Sequence, residues 1–438
     1  MEWARFRKYA RRMRELREYA TLDSPSRKIL SVIQFCTINE PLFPNLKALH
    51  LWGIGEIFIP FIPLFLSPRT TYIDLRFEDK LPKVKVASMV ATLPTLCPNL
   101  QSIKINTVSS DLTITAAVSR MVLNANQNTL QKLSVDSPLT EEAGEVIYEL
   151  PNLRSLSVAI ERETPLPPAL LPNLTELQIT CDNEDGWPQL FHGATLGKLE
   201  DVRFYTRSRH IGDFLKAFKK AALSSSVQNM LLTFWLFVPS PWNPNYSSLL
   251  PFTQLVDLEI TFSCNSECSS MVDDDIVISL LQAMPKLEYL GLGDEPCRQI
   301  TTGVTTKGLL ALAHRCPGLL TLRVHLQLAS LSDPPGIPGI VSTAGPAALR
   351  MGCALTQLEV GETPVPEGSA TTIALTLLRI FPQLDSVEFC YHKGWEKVQD
   401  AINHSRKIAD RSSKQRPLNA PRSTLNDGFT GATLETSS

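Results

Sequence analysis

Pro151-Asn-Leu-Arg-Ser-Leu-Ser-Val158 is the stretch on which the fold turns. Its apolar residues stand at Leu153, Leu156 and Val158, a spacing of three and then two. In an extended chain Leu156 and Val158 share one face, while Ser155, Ser157 and Ala159 point to the other. The spacing then recurs along the chain. It is found at Leu46, Leu49 and Leu51, at Leu100, Ile103 and Ile105, at Leu174, Leu177 and Ile179, and at Leu287, Leu290 and Leu292. The last copy is Leu384, Val387 and Phe389. Steps between successive first members run from 21 residues (Leu153 to Leu174) to 36 (Leu319 to Leu355). That range brackets and slightly exceeds the roughly 20–29 residues of a leucine-rich repeat.

Between the short strands lie segments with helical periodicity: Lys83 to Thr92, Thr113 to Asn124, Thr140 to Glu149, Gly212 to Leu223, Asp273 to Ala283, Thr305 to Arg315 and Thr371 to Ile380. Pro94, Pro151, Pro285, Pro317 and Pro382 follow several of them, as expected where a helix stops and turns into a strand. One such unit cannot bury its own leucines, so units must stack. The expected fold is an α/β leucine-rich-repeat solenoid, a horseshoe with a parallel sheet on the concave face and helices on the convex face. Its divisions are a helical cap over 1–40, about 12–13 repeats over 41–410, and a disordered tail over 411–438.

The ends read differently from the array. The first twenty residues carry a helical stripe of Trp3, Phe6, Ala10, Met13 and Leu16 with a basic opposite face, and predict one helix. The stripe is expected to pack on the first repeat, leaving the arginines solvated. A second helix is predicted from Pro25 to Phe35 with Ser24 as its cap, and a last one from Trp395 to Ile408.

Composition narrows the function classes. Lys plus Arg total 42 against 44 Asp plus Glu, so no global field draws the chain to nucleic acid or to an anionic membrane, and neither is expected as a partner. The 9 cysteines are odd in number and scattered, which points to a reducing compartment, cytoplasmic or nuclear. The charged start lacks the apolar core of a secretory signal. The most apolar run, Ile54 to Leu66, is short for a membrane span and is broken by Pro60 and Pro63.

Motifs of chemistry are few. Gly303 to Gly308 lacks the Gly-Lys-Ser/Thr order of a phosphate loop and reads as a capping turn. Cys264 and Cys268 have no matching second pair for zinc. Asp273, Asp274 and Asp275 stand where a helix starts and are explained by its cap and dipole. No catalytic residue, cofactor or metal ligand is assigned. The candidate protein-binding surface is the polar column between the last two apolar positions of each unit: Lys104, Ser134, Ser157, Gln178, Arg203, Glu259, Arg323, Glu359 and Glu388. Trp187, Trp242 and Tyr246 sit in irregular inserts and are candidate binding loops, as is the long insert from Ala329 to Met351.

Several stretches carry a family resemblance: Trp3-Ala-Arg-Phe-Arg-Lys-Tyr-Ala-Arg-Arg12, Leu42-Phe-Pro-Asn-Leu, Leu64-Phe-Leu-Ser-Pro and Leu93-Pro-Thr-Leu-Cys-Pro-Asn-Leu100. With them the chain resembles the leucine-rich-repeat F-box-type proteins of mushroom-forming fungi. In that family the Trp-x-x-Phe-x-x-Tyr-Ala-Arg-Arg helix, matched by Trp3, Phe6, Tyr9, Ala10, Arg11 and Arg12, follows the F-box and leads into the repeats. The resemblance implies the substrate-recognition part of a cullin-RING ubiquitin ligase. A Skp-type adaptor and a cullin are expected as partners only if an F-box lies upstream. The alternative is a scaffold or regulatory repeat protein with no ligase connection.

Overall fold

The computed structural model describes residues 2–19, 24–36, 41–78, 81–107, 117–118, 128–138, 147, 150–160, 171–181, 191, 195–206, 211–222, 226–236, 246–264, 272–293, 303–328, 331, 353–360, 363–389 and 394–414. Within them one sheet of 14 strands runs in strict sequence order, and every pairing is parallel. The strands are Glu15–Tyr19 (β1), Ala48–Ile54 (β2), Tyr72–Phe77 (β3), Ser102–Asn106 (β4), Lys132–Pro138 (β5), Ser155–Ile160 (β6), Glu176–Cys181 (β7), Asp201–Thr206 (β8), Asn229–Leu236 (β9), Asp257–Cys264 (β10), Tyr289–Leu292 (β11), Thr321–Val324 (β12), Gln357–Val360 (β13) and Ser386–Phe389 (β14). Helices on the other side include Glu2–Ala10 (α1), Ser24–Cys36 (α2), Ile62–Phe65 (α3), Lys83–Leu96 (α4), Ile211–Ala222 (α5), Asp274–Ala283 (α6), Thr306–Arg315 (α7), Ala370–Ile380 (α8) and Gly394–Lys414 (α9). The chain is an α/β repeat solenoid.

The three-then-two spacing is the cause. Leu153, Leu156 and Val158 are all buried and belong to one core that runs from Ala10 to Ile402. Leu133, Leu156 and Leu177 stand side by side in register across β5, β6 and β7, so each repeat's leucine packs on the same position of its neighbours. Strands lie about 4.8 Å apart and packed helices about 8–10 Å, which bends the sheet side inward and makes it concave.

The asparagine of the Pro-Asn-Leu motif is a clamp between repeats. Its Nδ2 donates to a backbone carbonyl of the preceding unit: Asn45 to Arg11 O at 2.7 Å, Asn152 to Asn128 O at 2.8 Å and Asn173 to Pro151 O at 2.9 Å. Helix starts are linked in the same way. Asp273 accepts from Ile276 N at 2.9 Å and caps α6, while Asp274 accepts from Thr305 N at 2.8 Å and so holds the turn that opens α7. Thr305 in turn caps α7 through Lys307 N at 3.1 Å.

The N-terminal expectation of one twenty-residue helix is corrected. The helix stops at Ala10, and Glu15–Tyr19 forms the first strand, paired with β2 from Glu15–Ala48 to Tyr19–Trp52. Arg14 O receives both Lys47 N at 2.7 Å and Ala48 N at 3.0 Å, which ties the turn to the first repeat. α1 does pack there: Phe6 lies 6.3 Å from Phe43, and Ala10 is buried.

Two boundaries also move. α4 continues past Thr92 to Leu96 and takes Pro94 into its last turn. α9 runs to Lys414, four residues into the stretch expected to be tail. It is anchored by Trp395, fully buried, whose Nε1 donates to Thr363 O at 2.7 Å. The predicted helices Thr113 to Asn124 and Thr140 to Glu149 fall mostly outside the described residues, and 415–438 lies wholly outside them.

Candidate binding surface

The polar column is one row in the sheet. Register pairs Lys104 with Ser134, Ser134 with Ser157, Ser157 with Gln178 and Gln178 with Arg203. Leu231 and Gly291 complete the row through Glu259 to Arg323, Glu359 and Glu388. Each of these residues alternates with apolar residues packed in or against the core, so each faces away from the helices. The row divides into three clusters with different chemistry.

The central cluster surrounds a cavity of about 400 Å³ between β6 and β9, lined by Ser155, Ser157, Glu176, Gln178, Asp201 and Arg203 among others. Arg203 is not a free cation. Its Nε and Nη2 donate to the Asp201 carboxylate at 3.0 and 3.3 Å, and this hydrogen bonding raises the guanidinium above its ordinary pKa. On the rim Lys132 Nζ stands 3.4 Å from Glu176. The lining offers hydroxyls, amides and paired charges, a surface suited to polar contact with a peptide or a protein.

The C-terminal cluster is an ion triad that crosses strands. Arg323 Nη1 donates to Glu259 Oε1 at 2.8 Å, and its Nε donates to Glu359 Oε2 at 2.5 Å. Glu259 lies two strands away from Arg323. Gly291, on the strand between them, leaves the gap that the arginine crosses: a Cβ there would meet Tyr289 Oη at 3.0 Å and Glu259 Cγ at 3.3 Å. Burial pushes the Tyr289 hydroxyl up to about 12, with Arg323 opposing and Glu259 adding to it.

The N-terminal cluster gathers around His50 and Asp74, which head the same row in the sequence reading, and adds Tyr19, Trp52, Tyr72 and Arg76, which that reading did not single out. Here Trp52 follows His50 by two positions on β2, and the bulge at Gly53, with φ +64°, lets the strand turn away just after it. Tyr19 meets Trp52 edge-on at 5.6 Å, His50 lies 4.7 Å from Tyr72, and the Arg76 guanidinium stands 5.5 Å over the Trp52 ring. Beneath them Asp74 is 4% exposed and Trp52 Nε1 donates to its Oδ2 at 3.5 Å. The available signal was position: Tyr19 and Trp52 stand one alternation beyond the polar column.

The loop candidates fare differently. Tyr246 opens a short 3₁₀ turn, Tyr246–Ser248, and is 7% exposed within the core, so it supports the fold instead of offering a contact. Burial, with a smaller contribution from Asp273, raises its hydroxyl pKa. Phe191, in the insert with Trp187, is likewise buried, against Phe204 at 6.2 Å and Phe218 at 5.5 Å. Trp187, Trp242 and most of the Ala329 to Met351 insert lie outside the described residues.

Among the described residues no group of three or more His, Cys, Asp or Glu is arranged to hold a metal ion, and no helix is long and apolar enough to cross a membrane. No family model matches the chain. No curated protein sequence matches it. Among solved structures it is similar to a chain in the crystal structure of the Rad7 and Elc1 complex in yeast, with 16% identity, a TM-score of 0.35, and coverage of 79% of this chain and 70% of that one. The site is therefore read from its own geometry: a largely polar face on a repeat solenoid, suited to protein binding.

Proposed function

We propose that the chain is a non-enzymatic recognition solenoid that recruits a protein across its concave face, and that it is the substrate-recognition part of an F-box-type subunit of a cullin-RING ubiquitin ligase. The observation that supports recruitment is the in-register, largely polar row from Lys104 to Glu388 on the side of the sheet turned away from the buried leucines. The ligase assignment rests on the resemblance of the Trp3 to Arg12 helix. That helix is held on the first repeat through Phe6 and Ala10, so a module joined to it would keep a fixed position relative to the concave face.

Proximity labelling and affinity purification of the full transcript product test both parts. A Skp-type adaptor and a cullin are expected in the captured set, together with a partner whose abundance rises when the protein is depleted. Capture of stable partners without adaptor or cullin, at unchanged abundance, would leave a scaffold and remove the ligase role. Retention of every partner by a chain with Gln178→Arg and Arg203→Glu in the central cavity and Trp52→Ala at the N-terminal cluster would remove the concave face as the recruiting surface.

A further inference from the structure

Two acceptor oxygens at the N-terminal end of the concave face have no donor. Asp74 Oδ1 is covered and accepts no hydrogen bond; the nearest cation, Arg76 Nε, stands at 3.6 Å. The other carboxylate oxygen is engaged by Trp52 Nε1 at 3.5 Å, with His50 Nδ1 at 3.8 Å. On the next strand Asn106 Oδ1 is also covered and without a donor, and Asn106 is the register partner of Arg76. Asp74, Arg76 and Asn106 all face away from the leucines. Covered acceptors are seldom left unpaired in folded proteins, and two on adjacent strands call for an explanation.

The groups around them indicate what would satisfy these oxygens. Tyr19 is 65% exposed, and Trp52 is half-buried beneath Arg76, so the cluster offers aromatic faces on which a guanidinium stacks. Burial pushes the nearby Asp136 carboxyl up and Asp74 adds to this, while Lys104 and Arg76 oppose it. Arg17 is already paired with Glu15. An acidic partner would leave both oxygens unpaired and bring like charge beside Asp74 and Asp136. An arginine brings five N–H donors on a plane that also stacks.

We propose that this cluster receives a basic segment of a partner protein, whose arginine lies over Trp52 and donates to Asp74 Oδ1 and Asn106 Oδ1. Arg76, with a side chain 49% exposed, is the placeholder that swings aside. The inference rests on the reading of the concave face as a protein-binding surface, and assigns the chemistry of one end of it.

The test uses the full chain and a phage-displayed library of random dodecapeptides. Selected peptides are synthesised with arginine or with citrulline, its neutral isostere, and bound by fluorescence anisotropy. The expected result is enrichment of arginine at one position, an affinity at least tenfold weaker with citrulline, and a similar loss in Asp74→Asn and in Trp52→Phe. Arg76→Ala, which uncovers the acceptors, is expected to tighten binding at least threefold, an effect that a merely structural role for Arg76 would not produce. Thermal unfolding of each variant confirms the fold. Enriched peptides without a basic residue, or binding indifferent to Asp74→Asn in the folded variant, would overturn the inference. If such peptides are instead released by Arg203→Glu, the concave face still binds protein and only the assignment of this cluster fails; if no peptide is selected by any part of the face, both fail.

Discussion

Arg323→Met is the substitution that tests how the concave face is held together. Arg323 joins Glu259 and Glu359 by two charge-assisted hydrogen bonds, with side chains 27%, 29% and 17% exposed. Such bonds contribute about 1.5–3 kcal/mol each when well covered. These are partly wet, which reduces that figure, but removing the arginine also leaves the carboxylates of Glu259 on β10 and Glu359 on β13 without the cation that stood between them. The expected net loss is about 2–4 kcal/mol. Replacing all three residues, with Glu259→Gln, Arg323→Met and Glu359→Gln, removes the charges together and is expected to return to within about 1 kcal/mol of the parent. Equilibrium unfolding in urea followed by circular dichroism measures both, with the slope checked because a repeat array can unfold in sections. Amide hydrogen exchange over β10 to β13 locates the effect. A loss below about 0.5 kcal/mol for Arg323→Met, or a triple variant as unstable as the single one, would refute the reasoning.

Three further outcomes are expected. Leu156→Ala, which empties a site 2% exposed at the middle of the array, should cost about 2–5 kcal/mol in the same urea experiment. Burial pushes the thiols of Cys97 up to about 12 and Cys316 up to about 11, and raises that of Cys353. The unfolded chain releases these protons first, so stability is fully present below the ordinary thiol value of 9.0 and should fall as pH rises from there toward 11 and 12; urea midpoints across that range, against the Cys97→Ala and Cys316→Ala variants, check the sign. Gly293→Ala should destabilise by at least about 1 kcal/mol, because φ is +113° and a Cβ would lie 2.7 Å from His325 Cδ2; a melting temperature equal to the parent's would contradict the strain argument.

Leucines decided the fold because burial enforces their spacing in every repeat: a one-residue slip at Leu156 would turn the whole set out of the core. The same constraint made the row from Lys104 to Glu388 legible, since a residue between two buried leucines has one direction left. β1 escaped notice for the opposite reason. Glu15-Leu-Arg-Glu-Tyr19 has a single inward leucine, and a terminal strand is covered on one side only, so the pattern is diluted by charge. The Arg323 triad was hidden because Glu259 and Arg323 are 64 residues apart, and only the empty place at Gly291 brings them together. Tyr246 was misplaced because composition shows an aromatic residue in an insert without showing which way it turns. The unpaired oxygens of Asp74 and Asn106 depend on three-dimensional surroundings that a list of residues does not carry.

A chain built by repetition contains no internal reason to stop, and each strand presents its neighbour with the edge it needs. At β14 the stop is a side chain. Gln399, from α9, accepts Val387 N at 2.6 Å through Oε1 and donates to Asp385 O at 3.1 Å through Nε2, so its amide occupies the place of a fifteenth strand's peptide. Arg406 fastens the same helix to Asp385 at 2.6 Å. The open edge of β14 is thereby covered at Asp385 and Val387, the first rung that a further strand would use. α9 is a portable terminator: grafted behind an earlier repeat, with Gln399 set against that strand, it should close a shorter solenoid at the chosen rung.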